Sequence, residues 1–158
     1  MRPVITLVPT LPWHVQYVAQ HARAPDVAEF LAGSGQSPLQ VIEYGLRASA
    51  CVYTGLVDGV PVAVLGVSPA SALSGIGCPW MVATDGVDAI AHRLIRISRP
   101  VIDAMHTLFP VLVNFVDNRN VKAHAWLRWL GFQLHDPAPH GREGRPFRLF
   151  VRVSHAQA

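Results

Sequence analysis

Between Asp58 and Asp85 the chain carries no charged residue. The stretch is longer than the roughly 20 apolar residues that an α-helix needs to cross a bilayer. Pro61, Pro69, Pro79 and four glycines interrupt it, however, and each of them would break a spanning helix. The stretch therefore predicts short buried strands joined by a loop, with no membrane insertion.

The composition is that of one globular domain. The chain has 158 residues, of which 51% are hydrophobic and only 15% charged, which excludes an intrinsically disordered protein. A formal net charge of +3 does not by itself indicate nucleic-acid binding. We expect a single domain over residues 1–153 and a short tail over 154–158. The N-terminus lacks the continuous apolar run of a signal peptide, so secretion is not expected.

The clearest local signal is a β-hairpin. Residues 51–57 and 60–67 are two apolar, β-branched runs, and Asp58-Gly59 separates them. An Asp-Gly pair adopts the positive φ angles that a two-residue hairpin turn requires. The sequence therefore predicts two antiparallel neighbours at this point.

Periodicity places the other elements. Helical segments follow a first strand (4–8), a long amphipathic helix covers 87–108, and a continuous apolar run at 111–116 predicts a strand buried on both faces. A second late helix ends at Gly131, and strands at 132–134 and 147–153 close the chain. The predicted fold class is α/β, a mixed, mostly antiparallel sheet flanked by helices in the order β-α-α-β-β-β-α-β-α-β-β.

One motif gives this order a family resemblance. The run from Asn120 through Ala123 to Gly131-Phe132 resembles the motif that follows the fifth strand in the GNAT (Gcn5-related N-acetyltransferase) fold. There an Asn caps the helix, an Ala lets the helix approach the sheet, and a Gly ends it. The resemblance implies the GNAT fold for this chain.

A narrower resemblance concerns Trp80-Met-Val-Ala-Thr84-Asp85 before a basic helix and the closing strand at 147–150. Over roughly 40–153 the chain resembles the GNAT-like internal virion proteins of short-tailed phages. That resemblance implies a non-catalytic virion or assembly component, in the virion or the host cytoplasm, which docks on phage structural proteins or on a second copy of itself. No cofactor is then expected. The alternative is an active acetyl-CoA-dependent N-acetyltransferase.

The segment that would hold acetyl-CoA departs from the family pattern. GNAT enzymes hold the pyrophosphate on a Gln/Arg-x-x-Gly-x-Gly/Ala loop that opens a helix. The corresponding residues, 83–89, contain the single glycine Gly86 and place Asp85 and Asp88 beside the expected phosphates. Acidic residues at this position are typical of ordinary helix capping. If acetyl-CoA binds, the candidate contacts are Thr84, Gly86 and Asn120.

Candidate acid–base residues do not form a recognisable constellation. The Tyr that often serves GNAT enzymes as general acid corresponds here to Leu127, which has no proton to donate. His124 on the same helix is the substitute candidate, although a helical His beside Lys122 is more often a surface residue. Candidate bases are His92, Glu43 and Asp117. No metal-ligand spacing occurs, so no metal site is expected.

Two clusters of arginine are candidate partner contacts. The first is a stripe on the long helix, which predicts a solvated face or, as a weaker alternative, a contact with DNA or an acidic partner. The second shares one face of the last strand with a phenylalanine that we expect to be exposed, and arginine beside an aromatic ring is typical of protein interfaces. The residues are Arg93, Arg96 and Arg99 in the stripe, and Arg148, Phe150 and Arg152 on the strand.

Overall fold

The computed structural model describes residues 1–155, so the last three residues of the predicted tail lie outside the described part. The strands are β1 (Ile5–Pro9), β2 (Cys51–Val57), β3 (Val60–Pro69), β4 (Ile76–Ala83), β5 (Val111–Asp117), β6 (Gln133–Leu134), β7 (Ala138–His140) and β8 (Arg145–Val153). The helices are α1 (Pro12–Gln20), α2 (Ala24–Ser34), α3 (Pro38–Ala48), α4 (Ala91–Leu108) and α5 (Val121–Trp129), and a 3₁₀ segment (Asp85–Ile90) precedes α4.

All the strands belong to one sheet, in the order β1-β2-β3-β4-β5-β8-β6, with β7 beside β8. Every pair is antiparallel except β4 and β5, which run parallel. The predicted fold class is therefore confirmed. Compared with the predicted order, the structure has a third helix between β1 and β2 and one additional short strand, β7.

The hairpin between β2 and β3 forms as predicted. Asp58 has a φ angle of 48° and Gly59 one of 80°, the two positive angles that the tight turn requires. Cys51 of β2 then pairs with Val67 of β3 at the far end of the ladder. The turn and a β-bulge between Gly55 and Leu56, which shifts the pairing by one residue, together fix the register of these two strands.

Two layers of helices cover the sheet. Ile102 and Met105 of α4 and Leu127 of α5 pack against one face of β5 and β8. On the other face, α1 and α3 cover β3 and β4 through the cluster Val15, Val18, Ile42, Val64 and Val82. α2 lies on that second face as well, because Phe147 of β8 lies against Gly33 of α2. Among residues 1–155 no helix is long and apolar enough to cross a membrane.

The α2 face leaves part of β5 open to solvent. Leu112 and Val116 are buried beneath α4 and α5, but Phe115, on the opposite face, is 38% exposed. Its ring stacks on His140 of β7, with the ring centroids 3.6 Å apart. The expectation that β5 is buried on both faces is therefore wrong at Phe115.

The predicted docking face of β8 is part of the core. Phe150 is only 7% exposed, and its ring meets that of Phe132 edge to face at 5.2 Å. Arg152 donates to Asp103 of α4 at 3.2 Å, and the Nε of Arg148 donates to Asn118 at 2.9 Å. The expectation of an exposed Phe150 is wrong, because β8 lies between β5 and β6 and α4 and α5 cover the face that these side chains share.

Two helical glycines differ in the space around them, which gives a matched test of the packing. In Gly45→Ala the new methyl group would overlap the ring of Trp80, whose Nε1 is held by Ser49 at 2.8 Å. We expect it to lower the free energy of unfolding by about 1–3 kcal/mol. In Gly33→Ala the methyl group would meet Phe147 at an ordinary 3.6 Å. This variant should gain up to about 1 kcal/mol from helix propensity.

Chemical denaturation of both variants beside the wild type measures the difference. Equal destabilisation by the two substitutions would contradict the packing of α3 against β4.

Candidate active site between β4 and β5

The parallel pairing of β4 with β5 is short. Only Ile76↔Val111 and Gly77↔Leu112 are paired, although each strand continues for several residues. Beyond these pairs the two strands separate, and a gap opens in the sheet. The edge of β4 that faces β5 is thus unpaired over most of its length.

Side chains and loops bind the two ends of this open edge. Near the start of the gap, Asn114 Nδ2 donates to the carbonyl of Pro79 at 2.9 Å. At the far end, the N–H of Ala83 donates to Asp26 Oδ2 at 3.1 Å, and its carbonyl accepts from the N–H of Arg23 at 2.9 Å. Both backbone groups of Ala83 therefore point away from β3.

Met81 lies between these two bound ends. In an antiparallel ladder, alternate residues direct both of their backbone groups to the same side. The N–H and the carbonyl of Met81 therefore point into the gap, as those of Ala83 do. Neither group meets a loop or a side chain among residues 1–155. Met81 thus offers one free donor and one free acceptor to an extended ligand, in the manner of an added strand.

A cavity of about 750 Å³ includes this gap. It extends between the sheet and helices α4 and α5, where apolar side chains such as Leu65, Leu94 and Val101 form most of its walls. Through the gap it reaches α2 on the opposite face. Trp126 of α5 also lines it, and the buried Nε1 of this residue has no hydrogen-bond partner within the described chain. The cavity is therefore mainly apolar, with few polar groups that could orient a ligand.

Glu29 of α2 also lines this end of the cavity, and it forms no ion pair within residues 1–155. Its Oε2 accepts from the backbone N–H of Asp117 at 3.0 Å and from Asn120 Nδ2 at 3.2 Å. Burial raises the pKa of Glu29 to about 7, and the charges of Asp26 and Asp117 add to this effect, whereas the two hydrogen bonds oppose it. A carboxyl group with this pKa can take up and release a proton near neutral pH.

The neighbouring carboxylates are each paired with an arginine. Arg23 binds Asp26 at 2.7 Å, and Arg119 binds Asp117 at 2.6 Å. Burial raises the pKa of Asp117, but the hydrogen bonds from Arg119 outweigh it and hold the pKa below its usual range. Asp117 therefore stays ionised, and Asp26 is held in its ion pair with Arg23, so Glu29 is the carboxylate suited to act as a base.

No family model and no curated protein matches the sequence, but solved structures do match the fold. The aminoglycoside acetyltransferase AAC(6')-Ib in complex with coenzyme A superposes with a TM-score of 0.71 at 12% identity, over 97% of this chain and 96% of that one. The spermidine N-acetyltransferase from Vibrio cholerae, in complex with CoA and spermine, gives 0.69 at 9% identity over 94% and 95%. A GNAT-family acetyltransferase from Bacillus anthracis gives 0.70 at 7% identity over 97% of both chains.

This chain has the GNAT fold. At such low identities the likeness concerns the fold, and activity has to be argued from the site. The comparisons give no support to a phage origin or to a virion location, which stay predictions from the sequence.

In the GNAT-like motif at α5, Asn120 and His124 have roles other than those that the sequence predicts. Asn120 is at the N-cap position, but its side chain makes no cap hydrogen bond and donates to Glu29 instead. His124 is 6% exposed, and its Nε2 lies 2.9 Å from the carbonyl of Asp117. The expectation that His124 lies at the surface is therefore wrong. It does not line the cavity, whereas Leu127, at the position of the family's Tyr, does.

The predicted cofactor residues before α4 lie apart from the cavity. Thr84 Oγ1 accepts from the N–H of Gly86 at 3.1 Å, which is an ordinary cap. Both residues line a smaller, separate recess. A side chain at Gly86 would collide with Val62, so close packing explains this glycine. Asp88 does line the main cavity and pairs with Lys122 of α5 at 3.5 Å, where both side chains are exposed.

Of the three predicted bases, only Asp117 is near the site. Its backbone N–H holds Glu29, while its carboxylate is bound to Arg119. His92 and Glu43 are exposed and do not line the cavity. No group of three or more potential metal-ligating side chains occurs within residues 1–155.

The predicted arginine stripe on α4 is divided between two roles. Arg93 is half-buried and donates to the carbonyl of Pro3 at 2.8 Å, which ties α4 to the N-terminal segment. Arg96 and Arg99 are exposed, and Arg99 donates to the carbonyl of Trp129 at 3.2 Å. The solvated-face interpretation thus describes the second and third arginines, and the first is structural.

Sequence reasoning missed Glu29, although a signal for it exists. Asp26, Glu29, Phe30 and Gly33 follow the i, i+3, i+4, i+7 spacing of one helix face. Two acids on a face that also carries an apolar ring indicate carboxylates directed inward. That spacing does not show what they would meet, because the gap between β4 and β5 has no sequence signature.

The raised pKa of Glu29 predicts how stability depends on pH. Folding favours the neutral carboxyl, so its cost is absent below the ordinary value of 4.5 and complete above about 7. Glu29→Gln resembles the neutral form. We expect this variant to match the wild type at pH 4.5 and to exceed it increasingly as the pH rises to 8. Melting temperatures across this range, with Glu43→Gln as the exposed control, check it.

A difference between Glu29→Gln and the wild type that stays constant over the whole pH range would contradict the assignment.

Proposed function

We propose that this chain is an acyl-CoA-dependent N-acyltransferase in which Glu29 takes the proton of the acceptor amine. The observation that carries the proposal is that one cavity joins the open edge of β4 to a carboxyl group whose pKa is about 7. The first feature suits an extended amide-containing donor, and the second suits general-base catalysis. The GNAT fold, which is that of CoA-bound acetyltransferases, agrees with both.

The groups at the gap fit the pantetheine arm of CoA. This arm is an extended chain with two amide groups, and the free N–H and carbonyl of Met81 can pair with one of them. At the mouth of the cavity, Lys122 supplies a cation for a phosphate if it leaves Asp88. Both members of that pair are exposed, so their separation costs little.

The reaction requires two protons to leave the acceptor ammonium group. Glu29 accepts the first, which frees the nitrogen lone pair to attack the thioester carbon. The N–H of Asp117 and the Nδ2 of Asn120 hold the carboxylate in place for this step. As the C–S bond breaks, the second proton goes to the thiolate. Leu127, at the position of the family's Tyr, has no proton to donate, so this proton passes directly from the amine or through water.

A second candidate function is a virion or assembly component that binds no cofactor. One set of observations favours it: Thr84 already occupies the N–H of Gly86, and Asp85 and Asp88 lie in the first turn that follows. Carboxylates there repel a pyrophosphate. Under this proposal the partners are phage structural proteins or a second copy of the chain.

Ligand-dependent stability distinguishes the two candidates. A ligand at a hundred times its Kd stabilises the folded state by about 2.7 kcal/mol. For a chain of this size each kcal/mol corresponds to roughly 2–4 °C. The enzyme proposal therefore predicts a rise in Tm of several degrees with saturating CoA or acyl-CoA. An unchanged Tm with all CoA compounds would favour the assembly component.

The role of Glu29 predicts a loss of rate without a loss of donor binding. We expect Glu29→Gln to lower kcat by about 10²–10⁴-fold, which is typical for removal of a general base. Its Tm shift with acyl-CoA should equal that of the wild type. The wild-type pH–rate profile should rise through about pH 7, and the variant should lack this limb.

Glu43→Gln, on an exposed part of α3, is the matched control and should keep the wild-type rate. A Glu29→Gln variant with an unchanged rate and pH profile would exclude this residue as the base.

A further inference from the structure

The cavity continues well beyond the gap, beneath α4. Leu7 of β1 pairs with Gly55 of β2, and Gly55 pairs with Ala63 of β3, so these residues form one row across the sheet. The two small members of this row leave space between the sheet and the helix. Both line the cavity, together with Ile5 and Leu65.

Helix α4 lies opposite this row, and contacts near both of its ends fix its position above the cavity. Near its start, Arg93 of α4 is bound to the carbonyl of Pro3. Further along, Ile102 and Met105 pack into the core beside β5. Between these anchors the inner side of α4 carries apolar side chains and one hydroxyl, that of Ser98, all of which line the cavity. The packing of α4 at both ends therefore maintains this space in the folded protein.

The position of Glu29 indicates which reactant extends into this space. α2 lies on the face of the sheet opposite α4 and α5, because Phe147 and Phe150 of one strand pack against these two sides. An acceptor amine has to meet Glu29 at the α2 side. A chain that lies beneath α4 is on the other side of the gap and hence belongs to the donor.

We propose that the cavity beneath α4 takes an apolar acyl chain, so that the preferred donor is an acyl-CoA with a medium-length or longer chain rather than acetyl-CoA. This inference rests on the proposed function. The whole cavity, which includes the gap, measures about 750 Å³, and beneath α4 it extends to Ile5 and Leu7 of β1, three strands away from β4. An acetyl group on a donor held in the gap requires none of this extension. Each methylene that such a wall buries improves affinity about fourfold.

Two substitutions fill the space from opposite walls. In Gly55→Leu, the first added carbon meets only Val62, at 3.9 Å, and the φ angle of Gly55 is not positive, so the strand tolerates a side chain. Ser98→Leu fills the space from α4. Ala104→Leu is the matched control, because Ala104 lies on the same helix, is exposed and does not line the cavity.

Calorimetric titration with acetyl-CoA, butyryl-CoA and octanoyl-CoA tests the proposal. For the wild type we expect butyryl-CoA, with two more methylenes, to bind about 15-fold tighter than acetyl-CoA, and octanoyl-CoA, with six more, to bind between about a hundredfold and a few thousandfold tighter, depending on how many of them are buried. In Gly55→Leu and Ser98→Leu the advantage of octanoyl-CoA over acetyl-CoA should fall below about tenfold. Ala104→Leu should keep the wild-type ratio.

The outcomes separate this proposal from the proposed function. Equal affinity for acetyl-CoA and octanoyl-CoA would overturn the acyl-chain assignment and leave the N-acyltransferase proposal intact. Absence of binding by all three esters would overturn both. Titration with octylamine tests whether the cavity takes the acceptor instead. If octylamine binds the wild type tightly and does not bind Gly55→Leu, the cavity belongs to the acceptor and the donor assignment is overturned.

Discussion

The candidate site depends on the early end of the pairing between β4 and β5. Two neighbouring parallel strands normally continue to pair along their common length, since an unpaired backbone group in a protein interior is costly. Here the pairing ends at Gly77 and Leu112. Asn114 and Asp26 satisfy the two ends of the exposed edge. Within residues 1–155 only its middle, at Met81, is left unpaired, so the groups that we propose to bind the donor result directly from a defect in the sheet.

Of the three carboxylates around this gap, two are paired with arginine, and the third carries the unfavourable electrostatic energy of burial. Arg23 and Arg119 neutralise Asp26 and Asp117, which also carry backbone hydrogen bonds that hold the fold together. Glu29 lies between them without a cation, and its pKa rises in consequence. An uncompensated acid in a cavity reduces stability, and its presence there is typical of a group that is needed for chemistry.

The sequence predicts a feature well when residues close to it in the chain determine it, and poorly when distant residues do. The turn at Asp58-Gly59 follows from two residues and their φ preferences, and the sequence predicts it correctly. The faces of β8 follow equally well from alternation, but alternation does not show which face a helix will cover. Alternation therefore predicts an exposed Phe150, and the neighbouring Lys122 predicts an exposed His124 on α5, although both residues are buried. The cavity and the surroundings of Glu29 require many elements that are distant in sequence, so neither is predictable from local pattern.

The departure of residues 83–89 from the family's phosphate loop bears on how a donor would be held. The N–H of Gly86 is bound to Thr84, and Asp88 competes with any phosphate for Lys122. The anionic end of a CoA ester therefore meets fewer free donors than a glycine-rich loop provides. The apolar space beneath α4 offers compensation at the opposite end of the same ligand, because burial of an alkyl chain is favourable and needs no charged partner. Under the proposed function, a weak phosphate site and a large acyl site would then be two consequences of one redistribution of binding energy along the donor. In such an enzyme free CoA, which lacks the acyl chain, would bind weakly and leave readily after the transfer.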